Sequence, residues 1–230
     1  MTKQDIRLHF IERGQGKPLI LLHGNGESAD YFKNQLDAFS GSFRVIAVDT
    51  RGHGRSPRGD APFTLFQFAE DLKAFMDTLG ISRAHILGFS DGANIALLFA
   101  LRYPHMIDRL ILNGANLSPK GVNPLCQIPI ILGYGVISAI ACFDKKAVEK
   151  KELLGLMVTQ PHITPAELST LDMPVLVIAG THDMIKKSHT EQIAASIPCA
   201  SLQFIAGDHF IAAKNSDAFN EAVEGFLCAP

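Results

Sequence analysis

The chain has 230 residues, 47% hydrophobic and 19% charged, a balance that fits one compact domain and excludes a disordered polypeptide. Its 21 basic and 23 acidic residues leave a net charge of −2, so the overall charge gives no reason to expect nucleic acid or an anionic membrane as a partner. Four cysteines without CxxC spacing indicate reduced thiols in a cytoplasm, not a disulfide scaffold or a zinc knuckle.

Met1 to Arg7 leads into no signal-like apolar stretch, so secretion is not indicated. Ile6 to Glu12 reads as an edge strand running to Gly14. Leu19 to Leu22 is an aliphatic run ending in His23-Gly24, and Arg44 to Asp49 is another, ending in Thr50-Arg51-Gly52. Thr64 and Gln67 form a capping-box pair ahead of a helix. Its apolar face is Leu65, Phe68, Ala69, Leu72, Phe75, Met76 and Leu79, and Gly80 stops it. His85 to Gly88 is a third apolar run. The helix that follows, from about Gly92 to Tyr103, is apolar nearly all round and therefore buried. Leu110 to Asn113, Val175 to Gly180 and Leu202 to Ile205 continue the series. Ser188 and Glu191 repeat the capping box, and Phe219, Val223, Phe226 and Leu227 mark a last helix. Strands apolar on both faces, alternating with helices, predict an α/β fold with a doubly wound, mostly parallel sheet.

About sixty residues separate the strand ending at Asn113 from the one after Pro174, far beyond an ordinary connection. Residues 1–230 are therefore expected to form one domain carrying a small helical lid over about 115–165. The lid holds the greasiest stretch, Ile128 to Phe143, which Pro129, Gly133 and Gly135 interrupt and which is too short to span a membrane. Its Leu125, Ile128, Ile130, Ile131, Leu132, Tyr134, Val136, Ile137 and Phe143 either line an acyl pocket or pack the lid down. A charged helix from about Asp144 to Met157 reads as a solvated face.

Gly88-Phe89-Ser90-Asp91-Gly92 joins a strand to the buried helix. A serine lifted out of such a tight turn needs small residues two positions to either side. The helix N-terminus beneath it offers free N–H groups where an oxyanion would develop. A serine hydroxyl needs a base. Of the 9 histidines, His209 in Gly207-Asp208-His209-Phe210 lies between the last strand and the last helix, at the carboxyl edge that also carries Ser90. Asp183, in Gly180-Thr181-His182-Asp183, reaches that edge too and would orient the imidazole. Asp208 is adjacent to His209 and diverges from it. Asn25, between Gly24 and Gly26, offers a backbone N–H that complements that of Asp91 in an oxyanion hole. His23 is read as holding this loop. No Walker lysine, GxGxxG fingerprint or paired-histidine spacing argues for a nucleotide cofactor or a metal.

With His23-Gly24, Asp49-Thr50-Arg51-Gly52-His53-Gly54-Arg55-Ser56, Gly88 to Gly92, Gly180 to Asp183 and Gly207 to His209 in order, the chain resembles the α/β-hydrolase fold superfamily over nearly its whole length. The serine–acid–histidine order Ser90, Asp183, His209 is the one this fold uses. The resemblance implies a serine hydrolase acting on a small, mostly apolar carboxylic ester, lactone or thioester through an acyl-enzyme on Ser90. A carbon–carbon bond hydrolase of the same fold and a non-catalytic binding or signalling protein are the alternatives. Ser90 disfavours the members that use an aspartate nucleophile. Ala93 stands where a further glycine is common, and the short lid argues against a large enclosed substrate. The partner implied is a small acyl compound, and oligomeric state is left open.

Overall fold

The computed structural model describes residues 6–229, so the reading of Met1 to Asp5 as free of a leader lies outside it. The elements in chain order are β1 (Phe10–Arg13), β2 (Lys17–Leu22), α1 (Lys33–Phe39), β3 (Phe43–Val48), α2 (Leu65–Thr78), β4 (Ala84–Phe89), α3 (Asp91–Arg102), β5 (Ile107–Asn113), α4 (Pro124–Ile140), α5 (Lys146–Thr159), α6 (Pro165–Leu168), β6 (Val175–Gly180), α7 (Lys187–Ser196), β7 (Ala200–Ile205), α8 (Ile211–Lys214) and α9 (Ser216–Cys228). The strands form one seven-stranded sheet in the order β1-β3-β2-β4-β5-β6-β7. Every pair is parallel except β1 with β3.

Helices on both faces explain why β4 and β6 are buried at every residue. On one face Leu72, Phe75, Leu97 and Phe99 of α2 and α3 join Ile20, Ile86 and Leu110 in a core. On the other, Leu36 of α1 and Phe219 and Val223 of α9 pack on Leu19, Leu87 and Ile178. Parallel strands send all their carboxyl ends to one edge, so the loops after β2, β4, β6 and β7 meet there.

Some local readings change in the folded chain. The expected strand from Ile6 shrinks to β1, because the His9 backbone leaves the ladder. Its N–H donates to Ser56 Oγ at 2.8 Å and its carbonyl accepts from Asp49 N at 2.9 Å. Only half of the first capping box forms. Thr64 Oγ1 accepts from Gln67 N at 3.1 Å, while the Gln67 amide turns to Asp71 Oδ1 at 3.0 Å. The second box does not form, since Ser188 lies inside the first turn of α7 and Lys186 precedes it without a side-chain cap. A complete box closes instead at Thr164 and Glu167, opening α6. No helix among the described residues is long and apolar enough to cross a membrane.

Arg51 is fully buried, yet fully paired. Its Nε and Nη2 donate to Asp71 Oδ2 and Oδ1, both at 2.7 Å, and its Nη1 donates to the Arg58 carbonyl. The pair fastens the loop after β3 to α2. Asp71→Ala strands a buried guanidinium, and we expect a loss of about 3–5 kcal/mol in denaturant unfolding. A loss within experimental error would show that water reaches Arg51.

Candidate active site

Ser90 carries φ 54° and ψ −120°, and no other non-glycine among the described residues has a positive φ. Packing forces this. A Cβ on Gly88 would overlap the Gly92 carbonyl, and a Cβ on Gly92 would overlap the carbonyl of Leu22 in β2. Strand and helix therefore approach so closely that the chain reverses on Ser90 and its hydroxyl stands clear. Ala93, buried at this turn, donates its N–H to Ser90 O at 2.9 Å, so a methyl group fits where a glycine is common.

The carboxyl edge brings the three dispersed side chains into one chain of hydrogen bonds. His209 Nε2 lies 3.0 Å from Ser90 Oγ, and His209 Nδ1 lies 2.7 Å from Asp183 Oδ1. The side chains of His209 and Asp183 are both buried. Asp183 Oδ1 also accepts from Ile185 N at 2.8 Å, which fixes the carboxylate. A carboxylate at Nδ1 assigns the proton to that nitrogen and leaves Nε2 to accept from the serine hydroxyl. The imidazole leans on the Phe89 ring at 4.9 Å. Asp208 turns away as expected, accepting from Phe210 N and pairing with Lys214.

The backbone N–H groups of Asn25 and Asp91 have no acceptor among the described residues. Their side chains are joined, because Asn25 Nδ2 donates to Asp91 Oδ2 at 2.9 Å. The same Nδ2 donates to the Leu153 carbonyl of α5 at 2.9 Å, which ties the loop after β2 to the helical insertion. Burial raises the Asp91 pKa, and the Asn25 and Asn94 amides oppose that shift. Asn94 Nδ2 further donates to Asn116 Oδ1 at 2.9 Å. Sequence reasoning missed this carboxamide network and the half-buried Glu27, whose Oε2 accepts from Gly24 N at 3.3 Å. Asn94, one turn beyond Ser90, was the one available signal; the other partners are distant in sequence.

His23 holds the loop. Its Nδ1 donates to Gly24 O at 2.7 Å and its Nε2 accepts from Thr50 N at 3.0 Å. Burial, reinforced by His53, lowers its pKa to about 4. Asp49 packs beside it, its burial outweighed by N–H donors from Ala29 and Arg55 and by the His9 ring, so that its pKa is lowered.

Ser90 opens on a cavity of about 20 Å³ free volume, room for one water, walled by Val122, Met157, Met184 and Ile185 with Asn116, Gln127 and Gln160. A larger groove of about 710 Å³ between β7 and α9 includes none of Ser90, Asp183 and His209. Among the described residues no three His, Cys, Asp or Glu side chains group to hold a metal ion.

Residues 17–135 match the family model described as alpha/beta hydrolase fold. The chain belongs to that family. One relative is the 2-hydroxy-6-oxononadienedioate/2-hydroxy-6-oxononatrienedioate hydrolase of Paraburkholderia phymatum (strain DSM 17167 / CIP 108236 / LMG 21445 / STM815), 40% identical over 87% of this chain and 68% of that one. A second, from Caulobacter sp. (strain K31), is provisionally named carbamate hydrolase RutD and is 30% identical over 91% of this chain and 90% of its own. The solved enol-lactonase of Burkholderia xenovorans LB400 superimposes with a TM-score of 0.82 at 23% identity, over 97% of both chains, which speaks for the fold. The protein is thus an α/β-hydrolase enzyme.

Two outcomes follow from this geometry. Gly114 has φ +65°, and a Cβ there would meet His209 Cε1 at 2.6 Å. Gly114→Ala should therefore displace the imidazole and lower hydrolytic turnover by about 100-fold. Unchanged turnover would show that the ring is not held by this contact. The unfolded chain protonates His23 near its ordinary pKa of 6.5, while the folded site resists to about 4. Its contribution is complete above about 6.5 and is lost as pH falls toward 4, so the urea midpoint should decline across that window. A smaller decline in His23→Gln would assign the effect.

Proposed function

We propose that this α/β hydrolase cleaves a small, mostly apolar carboxylic ester, lactone or thioester through an acyl-enzyme on Ser90. The observation that carries the reading is the relay from Ser90 Oγ to His209 Nε2 at 3.0 Å and from His209 Nδ1 to Asp183 Oδ1 at 2.7 Å. His209 takes the serine proton as Oγ attacks the carbonyl carbon, and Asp183 stabilises the imidazolium. The N–H groups of Asn25 and Asp91 receive the oxyanion. One such donor is typically worth about 3 kcal/mol in the transition state. His209 then gives its proton to the leaving oxygen or sulfur; in the second half, it deprotonates the water that releases the acyl group and restores Ser90.

The methionine, valine and isoleucine walls of the cavity at Ser90 support a mostly apolar acyl group. We read residues from about 115 to 165 as a lid on a single domain. In support, Arg58 grips Glu152 of α5 through Nε at 2.7 Å and Nη2 at 2.5 Å, and Asn25 bonds to Leu153 O. The four free thiols support a reducing, cytoplasmic setting. The 40% identical relative named for hydrolysis of a hydroxy-oxo-dienedioate supports carbon–carbon bond hydrolysis as the second reading.

Ser90→Ala is expected to abolish hydrolysis of p-nitrophenyl esters and labelling by a fluorophosphonate probe while leaving the thermal transition in place. Labelling that persists in the variant would reject Ser90 as nucleophile. A panel of acyl esters, lactones, thioesters and vinylogous diketones would separate the two readings by relative kcat/KM.

A further inference from the structure

The outer face of α4 has no partner among the described residues. From Pro124 to Phe143 the chain holds no charged residue, and Leu125, Ile128, Leu132, Val136 and Phe143 recur at helical spacing. Leu125 is 83% exposed, Leu132 65%, Val136 63% and Phe143 95%. A contiguous apolar stripe of this kind on a folded surface marks an interaction site. The expectation that these residues line an acyl pocket or pack the insertion down therefore fails for the stripe. Ile128 and Ile131 alone border a groove, one of about 440 Å³.

Charge distribution selects the partner. Just beyond Phe143, residues 144–151 carry Lys145, Lys146, Lys150 and Lys151 against Asp144 and Glu149. None of these four lysines joins an ion pair among the described residues. At the other end of the stripe, the exposed Lys120 and Lys186 flank the groove beside Pro124 and Ile128. An uncharged stripe thus lies between two cationic ends, an asymmetry that the net charge of −2 conceals. A symmetric pair of chains meeting through α4 sets lysine against lysine, whether the two helices run parallel or antiparallel. An anionic phospholipid surface satisfies both the stripe and its ends.

We propose that α4 docks in the plane of an anionic phospholipid bilayer. Its outer side chains enter the headgroup boundary, and the flanking lysines face lipid phosphates. The groove beside α4 shares Val122 and Gln127 with the cavity at Ser90, so the docked protein turns the approach to that serine toward the lipid. Docking does not depend on the role proposed for Ser90, and vesicle binding reads it without any substrate.

The test is co-sedimentation of the full chain with vesicles of equimolar phosphatidylglycerol and phosphatidylcholine, and with phosphatidylcholine alone. We expect binding to the anionic vesicles only, falling at least about tenfold in high salt and in Lys145→Ala/Lys146→Ala/Lys150→Ala/Lys151→Ala. Leu132→Asp/Val136→Asp should also fall at least about tenfold, with circular dichroism confirming the fold of each variant. Wild-type protein left in the supernatant, or bound equally to both vesicle types, would overturn the proposal. A dimer in light scattering that Leu132→Asp/Val136→Asp disperses would overturn it in favour of a second copy. Because the salt series uses the wild-type chain, it decides the question even if a variant does not fold.

Discussion

The close approach of β4 and α3 around Ser90 is the constraint on which the rest of the site depends. Carbonyls occupy the space where side chains at 88 and 92 would begin, so glycine is required at both positions and Ser90 bears the strained turn at φ 54°. That strain is held by a strand that is buried at every residue. The same turn starts α3, whose first N–H groups lie beside the serine oxygen. Exposing the hydroxyl and presenting a donor next to it are one geometric event.

Around this fixed point the parallel sheet gathers groups that are far apart along the chain. Asp183 and His209 are separated from Ser90 by 93 and 119 positions, yet β4, β6 and β7 deliver all three to one edge. The loop after β2 adds Asn25, whose carboxamide links the Asp91 carboxylate to α5. The insertion is therefore coupled, through a single side chain, to the two residues whose N–H groups lack acceptors among the described residues. Movement of α5 away from the sheet must break that bond.

The insertion has two different sides. Toward the sheet it is tied by directional polar contacts, among them Arg58 with Glu152 and Asn25 Nδ2 with Leu153 O at 2.9 Å. Toward solvent, α4 shows a stripe with no polar side chain to hydrate. An ordinary amphipathic helix would turn that stripe inward. Here the inward side of α4 carries the buried Gln127 with the half-buried Ile130 and Ile137, and the exposed stripe is left for an environment outside the protein.

Aliphatic runs bounded by glycine marked six of the seven strands within a few residues, because strands covered on both faces, as β4 and β6 are, need apolar residues throughout, while β7 is a largely exposed edge whose run is shorter. The Gly-x-Ser-x-Gly turn and the Asp183 and His209 loops were legible for a related reason: strained turns accept few residue types. Short polar patterns were less dependable. Ser188 and Glu191 carry the letters of a capping box without its bonds, since side chains at a helix start choose among all nearby donors. Chain order alone thus determined the layered sheet, its carboxyl edge and the residues able to meet there. The distances at which they meet, the bond from Asn25 to α5 and the outward face of α4 were decided only in the tertiary structure. Such contacts join segments with no common local pattern, and their partners are set by how whole elements pack.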